Sequence, residues 1–187
     1  TILVDGKIIA AAQEERFTRK KHDSSYPYNA IEFVLNFVNL KLNDVDQIIF
    51  FEKPFLKFER LIETYVAFAP KGFKSFCRAM PIWLKDKLFQ KKMLFNELKR
   101  HDDNFKDEKK IYFSDHHLSH AASAFFPSPF KEALVLTADG VGEWATTTVA
   151  VGKANNLAIK KEIHFPHSLG LLYSAFTYYT GFKVNSG

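Results

Sequence analysis

The chain opens with Ile2-Leu3-Val4, the pair Asp5-Gly6, and an apolar-rich run from Lys7 to Ala12. Asp-Gly supplies the positive φ angles of a two-residue loop, so the pattern reads as strand, tight turn, strand. The run Glu14-Glu15-Arg16-Phe17-Thr18-Arg19-Lys20-Lys21-His22-Asp23 follows, and a patch so dense in charge is expected mostly outside the core. From Tyr28 to about Leu42 the apolar residues Ile31, Val34, Leu35, Phe37, Val38 and Leu42 recur close to a 3.6 period. They predict an amphipathic helix that ends before Asn43-Asp44. Gln47 to Glu52 then predicts a short buried strand.

Residues 55–100 are helical in pattern, interrupted at Pro70-Lys71-Gly72 and near Pro81, and read as an insertion beside a sheet. Their residue types assign no chemistry. Further on, Lys110 to Ser114 predicts a strand, His116 to Phe126 a helix stopped by Pro127 and Pro129, and Glu132 to Thr137 a buried strand ending in Ala138-Asp139-Gly140. Two more strands, Ala145 to Val151 and Leu157 to Phe165, flank Asn155-Asn156, and a last helix runs from near Ser168 to Gly181. With no internal repeat, low-complexity tract or flexible linker, the order predicts one α/β unit with a mixed sheet.

Composition narrows the class. The 187 residues are 47% apolar and 25% charged, with 20 Phe and 7 Tyr, which suits a packed domain and not a disordered chain. No apolar run reaches the roughly 18 to 20 residues of a membrane span. The single cysteine, Cys77, leaves no internal disulfide, and no signal-peptide pattern opens the sequence, so a reducing cytoplasm is the expected location. The chain starts in strand pattern without Met and stops at the loop-like Asn185-Ser186-Gly187, so a piece of a longer protein is expected. The formal charge of +5 is uneven, since residues 53–110 hold 15 Lys/Arg against 8 Asp/Glu. Such a stretch can attract nucleic acid or phosphorylated molecules, but Phe, Leu and Ile at helical spacing also make it a solvated face of amphipathic helices.

Four constellations carry candidate chemistry. In Asp115-His116-His117-Leu118-Ser119-His120, at a strand-to-helix junction, His116 and His120 are four apart and share one helix face, as two ligands of one metal would. His117 points about 100° away. Two imidazoles do not fill a metal shell, and a third ligand, a carboxylate, is expected from elsewhere in space and outside this chain. In Leu134 to Trp144 a strand ends in Asp139 and is followed by Gly140 and Gly142. Glycines let backbone amides approach phosphate oxygens and a strand-tip Asp can hold a cation, although an Asp-Gly turn also serves an ordinary hairpin. In the charged run, Arg16, Arg19, Lys20 and Lys21 could clamp an anion or bridge on the surface. In His164-Phe165-Pro166-His167-Ser168, Ser168 is a natural helix N-cap.

These segments resemble the nodulation-protein and cephalosporin-type O-carbamoyltransferases. The matching stretches are Val4 to Ile8 with Glu14 to His22, His116 to Ala121, Asp139 to Trp144, Phe165 to Tyr173, and Thr180 to Gly187, in the family's order. The resemblance implies an α/β fold of the actin, sugar-kinase and Hsp70 (RNase H-like) type, with a mixed sheet flanked by helices. On that reading the chain is a partial N-terminal nucleotide- and metal-binding domain with a helical insertion at about 53–108. It implies transfer of a carbamoyl group from carbamoyl phosphate, through a carbamoyl-adenylate made with ATP, to a hydroxyl of a sugar, antibiotic or glycan. His116 and His120 become ligands of an iron-like divalent metal; Asp139, Gly140 and Gly142 become part of the ATP-phosphate site, with Mg; and Lys21 becomes a substrate-contacting cation. The acceptor hydroxyl needs a general base, for which His117, His164 and His167 stay open.

The family's first strand and its distal metal-binding Asp are expected outside this chain, which by itself is expected to be inactive. The partners implied are small molecules, neither nucleic acid nor membrane, with a homodimer open to the full-length protein. Two other readings are a relative of the tRNA threonylcarbamoyl-transfer proteins and a nucleic-acid-binding module built on residues 53–110.

Overall fold

A computed structural model describes residues 1–86 and 89–184, so the expected loop at 185–187 lies outside the described residues. The chain divides into two compact units, Thr1–Ile48 with Lys91–Tyr112, and Ile49–Gln90 with Phe113–Gly187. The helical stretch predicted as one insertion is therefore shared out, its first two helices in the second unit and most of the third in the first.

In the first unit, β1 (Ile2–Val4) and β2 (Lys7–Ala10) pair antiparallel across Asp5 and Gly6, whose φ angles of 50° and 75° are those the hairpin reading requires. The short helix α1 (Glu15–Thr18) leads to α2 (Tyr28–Val38), which buries Ala30, Val34 and Leu35. α2 stops earlier than predicted because Asn39 turns left-handed, with φ 55°, and the chain re-forms a 3₁₀ turn at Leu42–Asp44. One member of the charged run is buried: Glu14 accepts hydrogen bonds from the backbone of Asn29 (3.2 Å) and Ala30 (2.8 Å) and from Asn29 Nδ2 (2.6 Å), closing the start of α2. The rest of the run lies outside the core as expected, and the three donors account for this carboxylate's place in the interior.

β3 (Ile48–Phe50) and β4 (Ile111–Phe113), paired with each other, are the strands in which the chain passes between the units. α3 (Pro54–Phe68) and α4 (Phe73–Asp86) belong to the second unit, with the predicted break realised at Gly72 (φ 80°). α4 runs on through Pro81, where the sequence predicts an interruption. α5 (Gln90–Leu98) buries Leu98 in the first unit, where Phe105 is fully enclosed.

The second unit is built on α6 (His116–Phe125) and the antiparallel sheet β5 (Glu132–Ala138), β6 (Ala145–Lys153), β7 (Asn156–His164), followed by α7 (Leu169–Tyr179). His117, Ala121 and Phe125, four apart in sequence, form the buried stripe of α6. Ala121 and Phe125 join Val135 and Ala150 in the core, with Ala133, Leu157 and Ile159 around them. Gly152 is obligatory there, because a Cβ would stand 2.6 Å from the Phe125 ring.

Among the described residues the sheets are three and separate, of two, two and three strands, and do not form the single mixed sheet predicted. β5 also alternates: Val135 and Thr137 are buried, whereas Leu134 and Leu136 on the opposite face are 77% and 71% exposed. Among the described residues no helix is long and apolar enough to cross a membrane.

Candidate metal centre

The site lies within the second unit, where the first turns of α6 face the tip of β5. The α6 stripe that packs on the sheet fixes the helix azimuth, and it thereby turns the neighbouring stripe, His116 and His120, toward Asp139. His116 Nε2 lies 2.7 Å from Asp139 Oδ2 and 3.0 Å from His120 Nε2, while His120 Nε2 lies 3.6 Å from the same carboxylate oxygen. The three ligand atoms fall within 4.8 Å of one another. Separations near 3 Å are those expected between donors that each bind one ion at about 2.0–2.2 Å. His116 is buried, Asp139 half-buried and His120 exposed, which leaves the centre open on one side.

The resemblance implies a further carboxylate ligand outside the chain and a phosphate-site role for Asp139, which the sequence alone leaves open as a cation holder; the structure brings Asp139 to the histidine pair. Neutral imidazole nitrogens and a carboxylate oxygen suit zinc, iron and related divalent ions. The charges agree with an arrangement ready for a cation. The Glu52 carboxylate, 3.7 Å from Nδ1, is the largest influence on His116 and raises its pKa against the opposing effect of burial, with Asp139 adding to the rise. Burial opposes ionisation of Asp139, yet hydrogen bonds from His116 and the Gly140 amide, with the charge of both histidines, hold its pKa below the usual carboxylate value.

The loop that carries Asp139 is tightly held. Asp139 N donates to Thr146 O at 2.8 Å and Gly142 N to Ala145 O at 3.0 Å, closing the turn. Gly140 N donates to Asp139 Oδ1 at 2.6 Å. Both glycine amides that a phosphate-binding reading needs are thus committed inside the loop. Close packing explains Gly142 instead, since a Cβ there would stand 2.9 Å from His117 Cδ2 and 3.0 Å from His116 Cδ2. Gly170 answers the same demand from α7: a Cβ would lie 2.3 Å from Asp139 O. Ser168 is the N-cap that the sequence predicts, accepting from Leu171 N at 3.0 Å, and its hydroxyl donates to Gly140 O at 2.6 Å.

Glu143, named in the sequence only as part of a motif, has a defined task. It is buried, and its carboxylate accepts from His116 N (3.1 and 3.0 Å) and from Lys53 N (2.7 Å), so one side chain closes the starts of both α6 and α3. Arg60 of α3 donates to Gly142 O at 2.6 Å and also to Glu143 O. Lys53 Nζ pairs with Asp115 at 2.7 Å, and Lys57 pairs with the buried Glu52. The start of the basic stretch, which carries no chemistry in the sequence, thus braces the site, and these three cations are engaged within the unit. A carboxylate just past a strand, Glu52 after β3 and Asp139 after β5, is the sequence signal shared by the two acidic neighbours of His116.

His117, one of the histidines open as a general base, has both ring nitrogens engaged. Nε2 donates to Ala145 O at 2.8 Å, so Nδ1 accepts from Thr137 Oγ1 at 2.7 Å, which in turn accepts from Thr148 Oγ1 at 2.7 Å. Burial lowers its pKa and keeps it neutral. In this conformation it clasps β5 to β6 and has no free nitrogen for a hydroxyl. His164 is exposed and lies 2.7 Å from Glu162, and His167 is exposed with its carbonyl bound by Thr146. Lys21 is an exposed turn residue of the first unit.

The whole chain, residues 1–187, matches the family described as carbamoyltransferase N-terminus. The chain belongs to that carbamoyltransferase family. It is 59% identical over its full length to an uncharacterized protein of Synechocystis sp., covering 30% of that protein. To the nodulation protein NolNO of Sinorhizobium fredii it is 34% identical over 96% of the chain and 25% of the relative. An uncharacterized protein of Methanocaldococcus jannaschii is 28% identical over 95% of the chain and 27% of the relative. The chain therefore spans less than a third of the length of these relatives.

Proposed function

We propose that the intact protein is an O-carbamoyltransferase in which His116, His120 and Asp139 hold a divalent metal ion. Membership of the carbamoyltransferase family supports the transferred group. The observation that carries the site is the convergence of two imidazole nitrogens and one carboxylate oxygen within 4.8 Å at a strand tip. In the reaction, carbamoyl phosphate gives up its phosphate as inorganic phosphate, leaving carbamate, whose oxygen attacks the α-phosphorus of ATP to form carbamoyl-adenylate with release of pyrophosphate. An acceptor hydroxyl then attacks the carbamoyl carbon, loses its proton to a base, and AMP leaves. When bound, the metal supplies Lewis-acid stabilisation of charge on phosphate oxygens. The residues of this chain orient it: α6 presents both imidazoles, Asp139 adds a negative charge, and Glu143 and Gly142 fix the helix start and the loop against each other.

The proposed fold is of the actin, sugar-kinase and Hsp70 type, supported by the antiparallel β5–β6–β7 meander that leads into α7. For the basic stretch, the engagement of Lys53, Lys57 and Arg60 inside the unit favours a structural role over nucleic-acid binding.

The test is metal content and ATP-dependent carbamoyl transfer in the intact protein. His116→Ala with His120→Ala is expected to remove the metal and abolish transfer of labelled carbamoyl groups. Full metal content in the double variant would refute the site, and transfer without any metal would refute the role given to it.

A further inference from the structure

His116 has two ring nitrogens, and the proposed centre uses only one. Nε2 points at Asp139 and His120. Nδ1 is buried with no hydrogen-bond partner at normal length. Its carboxylate neighbour is Glu52, whose Oε2 lies 3.7 Å away on a side chain only 6% exposed. Glu52 is itself fastened, by Lys57 from the first turn of α3.

A neutral imidazole that binds a cation through Nε2 must carry its remaining proton on Nδ1. In a dry setting that N–H needs an acceptor, and an unpaired buried donor costs about 1–3 kcal/mol. We propose that Glu52 is a positioning residue for the metal reading above: it accepts the Nδ1 proton of His116, fixes the tautomer that leaves Nε2 free as a ligand, and aims the ring at the ion. Carboxylate, imidazole and metal then stand in line, an outer-shell arrangement that orients a ligating histidine and raises its basicity. Lys57 holds the carboxylate in place, so α3 serves the centre through this pair as well as through Lys53 and Arg60. No proton is consumed or released by Glu52; it only receives a hydrogen bond, across a gap that has to shorten by less than 1 Å.

The test uses the intact protein with Co²⁺ or Zn²⁺ as the probe, comparing wild type, Glu52→Gln and Glu52→Ala. Affinity is read by competition with a chromophoric chelator. The ring proton is read in the Co²⁺-loaded protein, where the N–H of a ligated histidine gives a strongly shifted, exchangeable NMR signal as long as a hydrogen bond protects it. Glu52→Ala should weaken Co²⁺ binding by about 10- to 100-fold and erase one such signal. Glu52→Gln, which keeps a neutral acceptor of the same shape, should fall between and retain the signal; it also carries the test should the alanine variant fail to fold. Weaker binding with an unchanged signal would make Glu52 a packing residue only and overturn the proposal, as would affinity equal to wild type in both variants. A wild-type protein that takes up neither ion would sink the metal reading itself, and the role of Glu52 with it.

Discussion

Two helices of this chain, α2 in the first unit and α6 in the second, are each closed at the N-terminus by a buried glutamate from a remote stretch of sequence. Glu14 receives the amides of Asn29 and Ala30, and Glu143 those of His116 and Lys53. Each satisfies helix-end donors that burial would otherwise leave unpaired, and each sets a negative charge at the positive end of a helix. The difference lies in the side chains of the first turn. α2 continues through Ile31 and Val34 into packing, whereas the amide bound by Glu143 belongs to His116, whose ring faces Asp139. A buried carboxylate therefore marks where a helix begins, and the residues it holds decide whether that start is also a site.

The sharpest way to break this comparison is to remove the chemistry and leave the cap. Asp139→Asn removes the anionic member of the proposed metal centre while Glu143 stays in place. Metal affinity of the intact protein is expected to fall by more than about 100-fold, beyond what outer-shell changes usually cost. Isothermal titration with Zn²⁺ measures it. Binding reduced less than tenfold would mean that Asp139 is a loop residue and not a ligand.

The two caps can then be set directly against each other. Glu14→Gln and Glu143→Gln each lose charged acceptance of buried amides, and each should lower stability by about 1–3 kcal/mol in denaturant unfolding. Only Glu143→Gln should also weaken metal binding, by about tenfold, because only its helix start carries a ligand. Equal loss of metal affinity in both variants would show that the effect is global loosening.

Comparable in size is the expected effect of Gly142→Ala, which acts through packing. Its Cβ would meet the rings of His116 and His117 at 3.0 and 2.9 Å, so both must shift by a few tenths of an ångström. A stability loss of about 1–3 kcal/mol with loss of metal affinity is expected. Unchanged stability and affinity would remove the packing explanation for this glycine.

Much of this was legible in the residues, and the losses have physical reasons. The Asp5-Gly6 hairpin, the Ser168 cap and the shared face of His116 and His120 depend on local geometry, which a short window of sequence carries. Period 2 in β5 was obscured because Leu134 and Leu136 on its exposed face are as apolar as Val135 on its buried one. The approach of Asp139 to the histidine pair was not legible because it spans 23 residues and depends on packing of α6 on β5 that no local pattern states. Gly140 and Gly142 are ambiguous in sequence, since a turn that must pass close to imidazole rings needs the same residue type as one that must pass close to an anion. Glu52 and Glu143 gave the faintest signal, each an isolated acid at the edge of an apolar run.

The last and smallest effect separates the two helix starts by pH. His116 has a raised pKa, so its contribution to stability is fully present below about pH 6.5 and is lost as pH rises through its folded value. Asp139 has a lowered pKa, so its contribution is present above about pH 3.9 and is lost as pH falls through its folded value. The metal-free pair thus helps the fold most between those limits. A metal ion reverses the trend, because it must displace the proton that His116 Nε2 donates to Asp139, so its stabilisation grows as pH rises. Thermal unfolding of the intact protein should show a metal-induced gain in Tm that is larger at pH 8 than at pH 6. The slope of the metal-free Tm between these values should flatten in His116→Gln relative to wild type, while Glu14→Gln leaves both trends intact. A metal-induced gain that is the same at both pH values would show that no proton is displaced from His116, and the ion would then be held by groups other than the α6 start.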